Sequence, residues 1–264
     1  MAYAFHHAGV LCRADNGLMT DTVRVGALVF AAVLQVFAGV VGGAGLWGES
    51  VGVVANSYPT LILPGGTAFS IWSLIYVGFA ALAVRQAVQR SRDVHRRTGR
   101  WLVAAGLLNA TWVLLFTNRQ FLLAQLVIVG LLACLTMAAL RLQPANGCAD
   151  RLLLHIPVMV YLGWVAVATV AGAATTAAAF GAAPGTAVAI AALLLTGIAA
   201  ALAALRLPAV VGFAAAVCWA FAWIAVNTST TWVLVAALVA IAAVAVTVVI
   251  RIEGRSNRST AAWG

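Results

Sequence analysis

The chain has no lysine, and its fifteen arginines and six acidic residues amount to only 8% of 264 residues. A water-soluble domain of this length cannot cover its surface with so few charges, which excludes that class. Polar and apolar residues do not alternate in short segments, so an outer-membrane barrel is excluded as well. None of the six acidic residues falls inside a long apolar segment. Proton-coupled pumps and many secondary transporters depend on intramembrane carboxylates, so that class loses weight. No cluster of His, Cys, Asp or Glu suits a metal hydrolase. No Ser–His or Cys–His pairing suits nucleophilic catalysis, and no phosphate-binding glycine loop occurs. The four cysteines, Cys12, Cys134, Cys148 and Cys218, are not at metal-ligand spacing from one another or from a histidine. They read as structural thiols without a disulfide framework.

What is present is apolar. Hydrophobic residues make up 64% of the chain, and the mean hydropathy is +1.07. Eight apolar segments run over about 23–46, 67–89, 101–117, 120–142, 152–172, 185–205, 209–226 and 231–250. Each is long enough to span a hydrocarbon core of about 30 Å at 1.5 Å per residue. The expected fold is an all-α polytopic membrane bundle of eight transmembrane helices, with the third and seventh segments the shortest. Gly39 and Gly43 form a small-xxx-small pair in the first segment, which favours close helix packing.

Fourteen of the fifteen arginines lie in the N-terminal stretch or in loops on one side, and Arg119 alone lies on the other. The positive-inside rule then puts both termini in the cytoplasm, in a multi-pass protein of the cell (inner) membrane. Arginines in short loops read as membrane anchoring, not as a nucleic-acid surface. The all-arginine, alanine-rich composition points to a GC-rich bacterial genome. Domain boundaries are expected at a cytoplasmic tail over 1–22, a five-helix module over 23–172, an Ala/Gly/Thr linker over 173–184, a three-helix extension over 185–250 and a second tail over 251–264. Met19 offers a second plausible start.

The stretch from Pro64 to Tyr76 marks a mouth. Pro64, Gly65 and Gly66 break the preceding segment, and Thr67 can cap the next helix. Phe69, Trp72 and Tyr76 then recur at i, i+3 and i+7 on one face. Asn109, Trp112 and Phe116 repeat that spacing on the third segment, and Tyr161, Trp164 and Ala168 on the fifth. Trp72, Asn109 and Trp164 lie roughly 7–12 Å below the outer boundary by helix rise. Trp47, Trp101 and Trp232 sit at segment ends, where headgroup-level tryptophans belong. The deeper stripes, if they face one another, make an aromatic pocket in the outer half of the bundle, with Asn109 as its buried amide. Ordinary aromatic packing is the competing reading.

Arg119 could meet a ligand carboxylate, although snorkelling to the interface is the simpler reading. His155 reads as interfacial, and Gln35 and Gln125 as packing amides. Trp219 and Trp223, at i and i+4, either extend the pocket or make a helix contact, and the contact is the simpler reading.

Three collinear pieces resemble the TspO/MBR family of tryptophan-rich sensory or translocator proteins. They are ProGly-x3-Phe-x2-Trp-x3-Tyr at 64–76, LeuAsn-x2-Trp-x3-Phe at 108–116 and Pro-x3-Tyr-x2-Trp-x3-AlaThr at 157–169. The resemblance covers roughly 23–172 and implies a five-helix bundle, often dimeric. Such bundles hold porphyrins, other tetrapyrroles or hydrophobic molecules between their helices, and for this chain no required cofactor is expected beyond a bound tetrapyrrole as its ligand. It implies a ligand site at Phe69, Trp72, Tyr76, Asn109, Trp112, Phe116, Tyr161, Trp164 and Ala168, with aromatic faces stacked on a flat macrocycle. The chain departs from the family where Gly65 replaces a second proline, where Leu61–Leu63 lacks a tryptophan, and where Ala171 and Gly172 replace an asparagine. The expected function is a membrane sensor or binding protein for a hydrophobic ligand such as a tetrapyrrole. The alternatives are a facilitative transporter or exporter of a lipophilic molecule and, ranked last, an enzyme acting on a bound pigment or lipid.

Overall fold

In the computed structural model of the protein, the backbone is described for residues 2–264 and side chains from residue 20 onward. The expectations for Cys12 and most of the 1–22 tail fall outside the described side chains. The elements are α1 (Ala2–Ala44), the short α2 (Val51–Asn56), a 3-10 turn (Gly66–Ser70) leading into α3 (Ile71–Val88), α4 (Asp93–Thr117), α5 (Phe121–Ala139), α6 (Cys148–Asp150), α7 (Ile156–Ala179), α8 (Thr186–Arg206), α9 (Val211–Asn227), α10 (Thr231–Glu253) and α11 (Arg258–Trp263). Among the described residues there is no strand. Among the described residues, seven helices are long and apolar enough to cross a membrane, and α9 is a shorter apolar helix of 17 residues. This is an all-α polytopic membrane bundle.

α1 packs on α3 and α4, α3 on α7, α7 on α5, and α5 on α4, which closes a ring of five helices. The second group attaches through α9, which lies on α7, while α10 packs on α9 and α8. The α7–α9 seam is tight because Gly163 faces the Phe213 carbonyl. A Cβ at Gly163 would lie 2.4 Å from that oxygen. Where lipid supplies no hydrophobic drive between helices, such small-residue contacts let backbones approach and gain dispersion contacts.

At the arginine-rich end, two carboxylates tie the ring together. Asp150 is fully buried and receives both Arg92 guanidinium nitrogens at 2.6 Å, together with Arg85 at 2.8 Å. Asp21 is 2% exposed and accepts from Arg96 on α4 and Arg24 on α1. Arg24 also donates to Gln86 on α3 and to the His95 carbonyl on α4. A buried carboxylate is tolerable when guanidinium forks satisfy its lone pairs.

These pairs revise the sequence boundaries. Asp21 and Asp150 lie near the arginine-rich ends of Thr20–Ala44 and Cys148–Ala179, helices long and apolar enough to cross a membrane, which start before the expected apolar segments at 23 and 152. α4 starts at Asp93, eight residues before the expected 101. α7 runs to Ala179, so much of the expected 173–184 linker is helix. Alanine and threonine carry no signal strong enough to stop a helix already packed on both sides. The expected tail over 251–264 is also structured. α10 reaches Glu253, and α11 is capped by the Asn257 side chain and buries Ala261 and Ala262.

Between α6 and α7, the π turn Arg151–His155 precedes Pro157. Both ring nitrogens of His155 lie against carbonyl oxygens, that of Asp150 at 3.1 Å and that of Gln143 at 2.9 Å. This histidine is buried in backbone contacts, not placed at a surface interface. Cys134, Cys148 and Cys218 are free thiols.

Candidate functional site

Helical spacing brings the three aromatic stripes to one place. Trp72, on the first turn of α3, touches four other rings. It stacks on Tyr76 at 5.7 Å and on Trp112 at 5.8 Å, and meets Tyr161 and Trp164 edge-on at 6.1 Å each. Trp112 stacks in turn on Phe116 at 5.0 Å, so Tyr76, Trp72, Trp112 and Phe116 form a continuous ladder of faces. Phe69 meets Trp164 edge-on at 6.1 Å. Such offset and edge-on pairs let the negative ring face meet a positive edge and add to area burial.

Space lies on both sides of Trp72. Toward α7 is a small cavity of about 40 Å³, lined by Phe69, Trp72, Trp112, Phe116, Trp164 and Ala168. It has room for a water-sized guest and not for a macrocycle. Toward α1 and α2 is a groove of about 420 Å³, bounded by Phe69, Trp72, Tyr76, Trp112, Gly39 and Gly43. That volume lies in the range of small-molecule sites. Gly39 and Gly43 shape it differently. A Cβ at Gly39 would lie 2.1 Å from the Tyr76 ring, whereas one at Gly43 would meet nothing within 4 Å. The first glycine seats Tyr76 against α1, as close packing requires, and the second leaves the groove open.

The remaining candidate residues sit elsewhere. Tyr161 is 1% exposed and donates its hydroxyl to Gln35 Oε1 at 3.3 Å, beneath the cavity. Asn109 is fully buried but lines neither space, and neither atom of its amide has a hydrogen-bond partner. The indole N–H of Trp164 and Nε2 of Gln35 are likewise buried without a partner. Gln125 donates to the Thr169 carbonyl at 3.0 Å and closes the α5–α7 contact. Arg119 is engaged by the protein itself: it pairs with Glu49, donates to the Tyr58 hydroxyl at 2.9 Å and lies over the Tyr58 ring. That pairing ties the α1–α2 loop to the α4–α5 turn.

The mouth is built from more than its own residues. The helix does not start on a Thr67 cap. It opens instead as a 3-10 turn behind Gly65, without a side-chain cap bond, and Gly66 has φ +59°. α9 holds this turn from outside the ring. Trp219 donates its indole N–H to the Ala68 carbonyl at 3.0 Å, and Asn227 donates to the Leu63 carbonyl at 3.1 Å. Trp223 packs against Gly66 and edge-on to Trp219. Trp219, Trp223 and Asn227 stand at i, i+4 and i+8, one stripe on α9. The two tryptophans are a helix contact, as the sequence reading had it, but the stripe also reaches the site. Sequence reasoning missed Asn227, whose only signal was that spacing. α2, begun by a Ser50 cap on Val53 N–H, closes the groove from above and was also unforeseen.

No curated protein and no solved structure matches the chain. The family model described as TSPO-like protein matches residues 22–250. The match runs past the five-helix ring and takes in α8, α9 and nearly all of α10, so the second helix group lies within the family region, not beyond it. With most of its length inside that match, and with the aromatic ladder at the core of its five-helix ring, the chain belongs to the family of TSPO-like proteins.

Proposed function

We propose that the protein is a membrane sensor or binding protein that holds a flat hydrophobic ligand, such as a porphyrin or another tetrapyrrole, against the Trp72 ladder. One observation carries this reading. Trp72 and Trp112 stack on one side of a groove of about 420 Å³ that Gly43 on α1 leaves unfilled. An aromatic wall facing open volume suits a planar guest that stacks by dispersion and quadrupole contacts. The ligand enters from the arginine-poor end, between α2 and the Gly65–Gly66 turn. The arginine bias supports the reading that this end faces away from the cytoplasm and that both termini lie inside.

Titration with protoporphyrin IX, followed by quenching of tryptophan emission, tests the reading. Wild-type protein is expected to show saturable quenching, and a Trp72→Ala variant to lose it while remaining folded. Equal affinity in the two proteins would sink the assignment. Flux assays in proteoliposomes separate binding from facilitated transport, since a binding protein gives none.

A further inference from the structure

A third space lies at the opposite, arginine-rich end, outside the five-helix ring. It is a cavity of about 390 Å³ where the α8–α9 and α10–α11 connections meet. Arg206, Arg251 and Arg255 line it together with the hydroxyls of Ser256 and Thr260, and no acidic side chain does. The arginines of the five-helix ring at the same end behave differently. Arg24, Arg85, Arg92 and Arg96 are neutralised there by Asp21 and Asp150.

Arg251 is held in place. Its two terminal nitrogens donate to the carbonyls of Ala204 and Leu207, the orphan acceptors at the C-terminal end of α8. Arg206 and Arg255 are exposed and form no ion pair among the described residues. Three like charges therefore converge on one hollow, one of them fixed by the backbone, with hydroxyl donors beside them and apolar side chains behind. Gly264, the last residue of the sequence, also lines the cavity, and no acidic side chain there balances the three guanidiniums. Guanidinium forks match the oxygens of a phosphate group, and basic pockets between helix ends at a membrane face take anionic headgroups.

We propose that this cavity binds a phosphate-bearing anion, either the headgroup of an anionic phospholipid or a free phosphate. Arg206 and Arg255 are its adaptable contacts, and Arg251 is its fixed charge. The site is independent of the aromatic ladder and of any ligand bound there.

The full chain, delipidated in neutral detergent, is titrated with phosphatidylglycerol and with phosphatidylcholine, and bound lipid is counted by native mass spectrometry. Binding of inorganic phosphate is measured in parallel by calorimetry. The expected result is retention of phosphatidylglycerol over phosphatidylcholine, weakened by roughly tenfold or more in the Arg206→Gln/Arg255→Gln double variant. Arg206→Lys/Arg255→Lys is expected to restore much of the loss, and Arg97→Gln, on the same end but outside the cavity, to change nothing. Phosphatidylglycerol binding without phosphate binding assigns a lipid headgroup, and binding of phosphate assigns a site open to soluble anions. Equal retention of the two lipids together with no phosphate binding, binding of neither probe, or unchanged affinity in a folded double Gln variant overturns the proposal. Because both arginines are exposed, circular dichroism and gel filtration suffice to show that the variants are folded.

Discussion

The side-chain amide of Asn227 donates to the Leu63 carbonyl at 3.1 Å and at the same time fills the space beside Gly65, where an added Cβ would lie 2.1 Å from its Oδ1. The last residue of α9 thus occupies the room that a larger residue at position 65 would need. The relation accounts for one departure from the family pattern, a glycine where a second proline is usual. Gly65 has φ −94° and ψ 179°, a conformation open to alanine. The penalty of Gly65→Ala therefore comes from collision with Asn227 and not from the backbone. Gly65→Ala is expected to destabilise the protein by about 1–3 kcal/mol through overpacking, and Asn227→Ala by about 1 kcal/mol through the lost hydrogen bond. The double variant should be more stable than the sum of the two predicts. Thermal unfolding of all four proteins in one detergent gives the coupling, and strict additivity would contradict the contact.

The ion pairs at the two ends of the bundle make a different prediction, because they differ in burial. The Asp150 side chain is fully buried, and its partners Arg85 and Arg92 are 16% and 29% exposed. Asp150→Asn keeps the shape and leaves two guanidiniums facing a neutral amide. It should lower stability by about 3 kcal/mol or more, since removing one partner strands the other charges away from water. Glu49→Gln breaks the exposed pair with Arg119, which solvent screens, and should leave the unfolding midpoint nearly unchanged. Midpoints measured at two salt concentrations check both, and equal losses in the two variants would count against the distinction.

Parts of this architecture were legible in the sequence because they are local. A repeat at i, i+3 and i+7 places Phe69, Trp72 and Tyr76 on one face whatever the surroundings, and the apolar runs are long enough to announce their helices. What escaped the reading depends on contacts between distant residues. Asn227 and Leu63 are 164 positions apart, and neither residue type marks a loop clamp. Asp21 and Asp150 look like loop charges until Arg96 and Arg92 arrive from other segments to neutralise them. The groove was missed for a related reason. Three stripes suggest a pocket between them, but the rings pack on one another, and the open volume lies where Gly43 leaves α1 bare.

Gly43 offers a direct way to separate ligand binding from folding. Nothing lies within 4 Å of a Cβ built there, and the residue is exposed toward the groove. Gly43→Leu should fill part of the volume while changing stability by no more than about 0.5 kcal/mol, since replacing glycine within a helix offsets any small steric penalty. Protoporphyrin affinity should fall by tenfold or so, given the roughly 1–3 kcal/mol typical of overfilling a fitted site. Gly39→Ala should behave in the opposite manner, because its Cβ meets the Tyr76 ring. It is expected to lower the unfolding midpoint in the absence of any ligand. Comparable porphyrin binding in Gly43→Leu and wild type would place the ligand outside the groove.

Asn109 sets the last and sharpest contrast. Its side chain is fully buried on α4, and both amide atoms lack a partner. An unsatisfied buried amide destabilises a fold by about 1–3 kcal/mol relative to an apolar side chain of similar shape. Asn109→Leu should therefore raise the stability of the ligand-free protein by an amount in that range. If the amide serves only packing, porphyrin affinity should be unaffected or improve with the firmer core. If the amide turns toward a bound guest or a water that the guest organises, affinity should fall even as the unfolding midpoint rises. A stability gain joined to a binding loss is the pattern expected of a group kept for its ligand. A midpoint that falls in Asn109→Leu would mean that the amide is satisfied in the membrane after all. Paired unfolding and quenching titrations on the one variant decide between these outcomes.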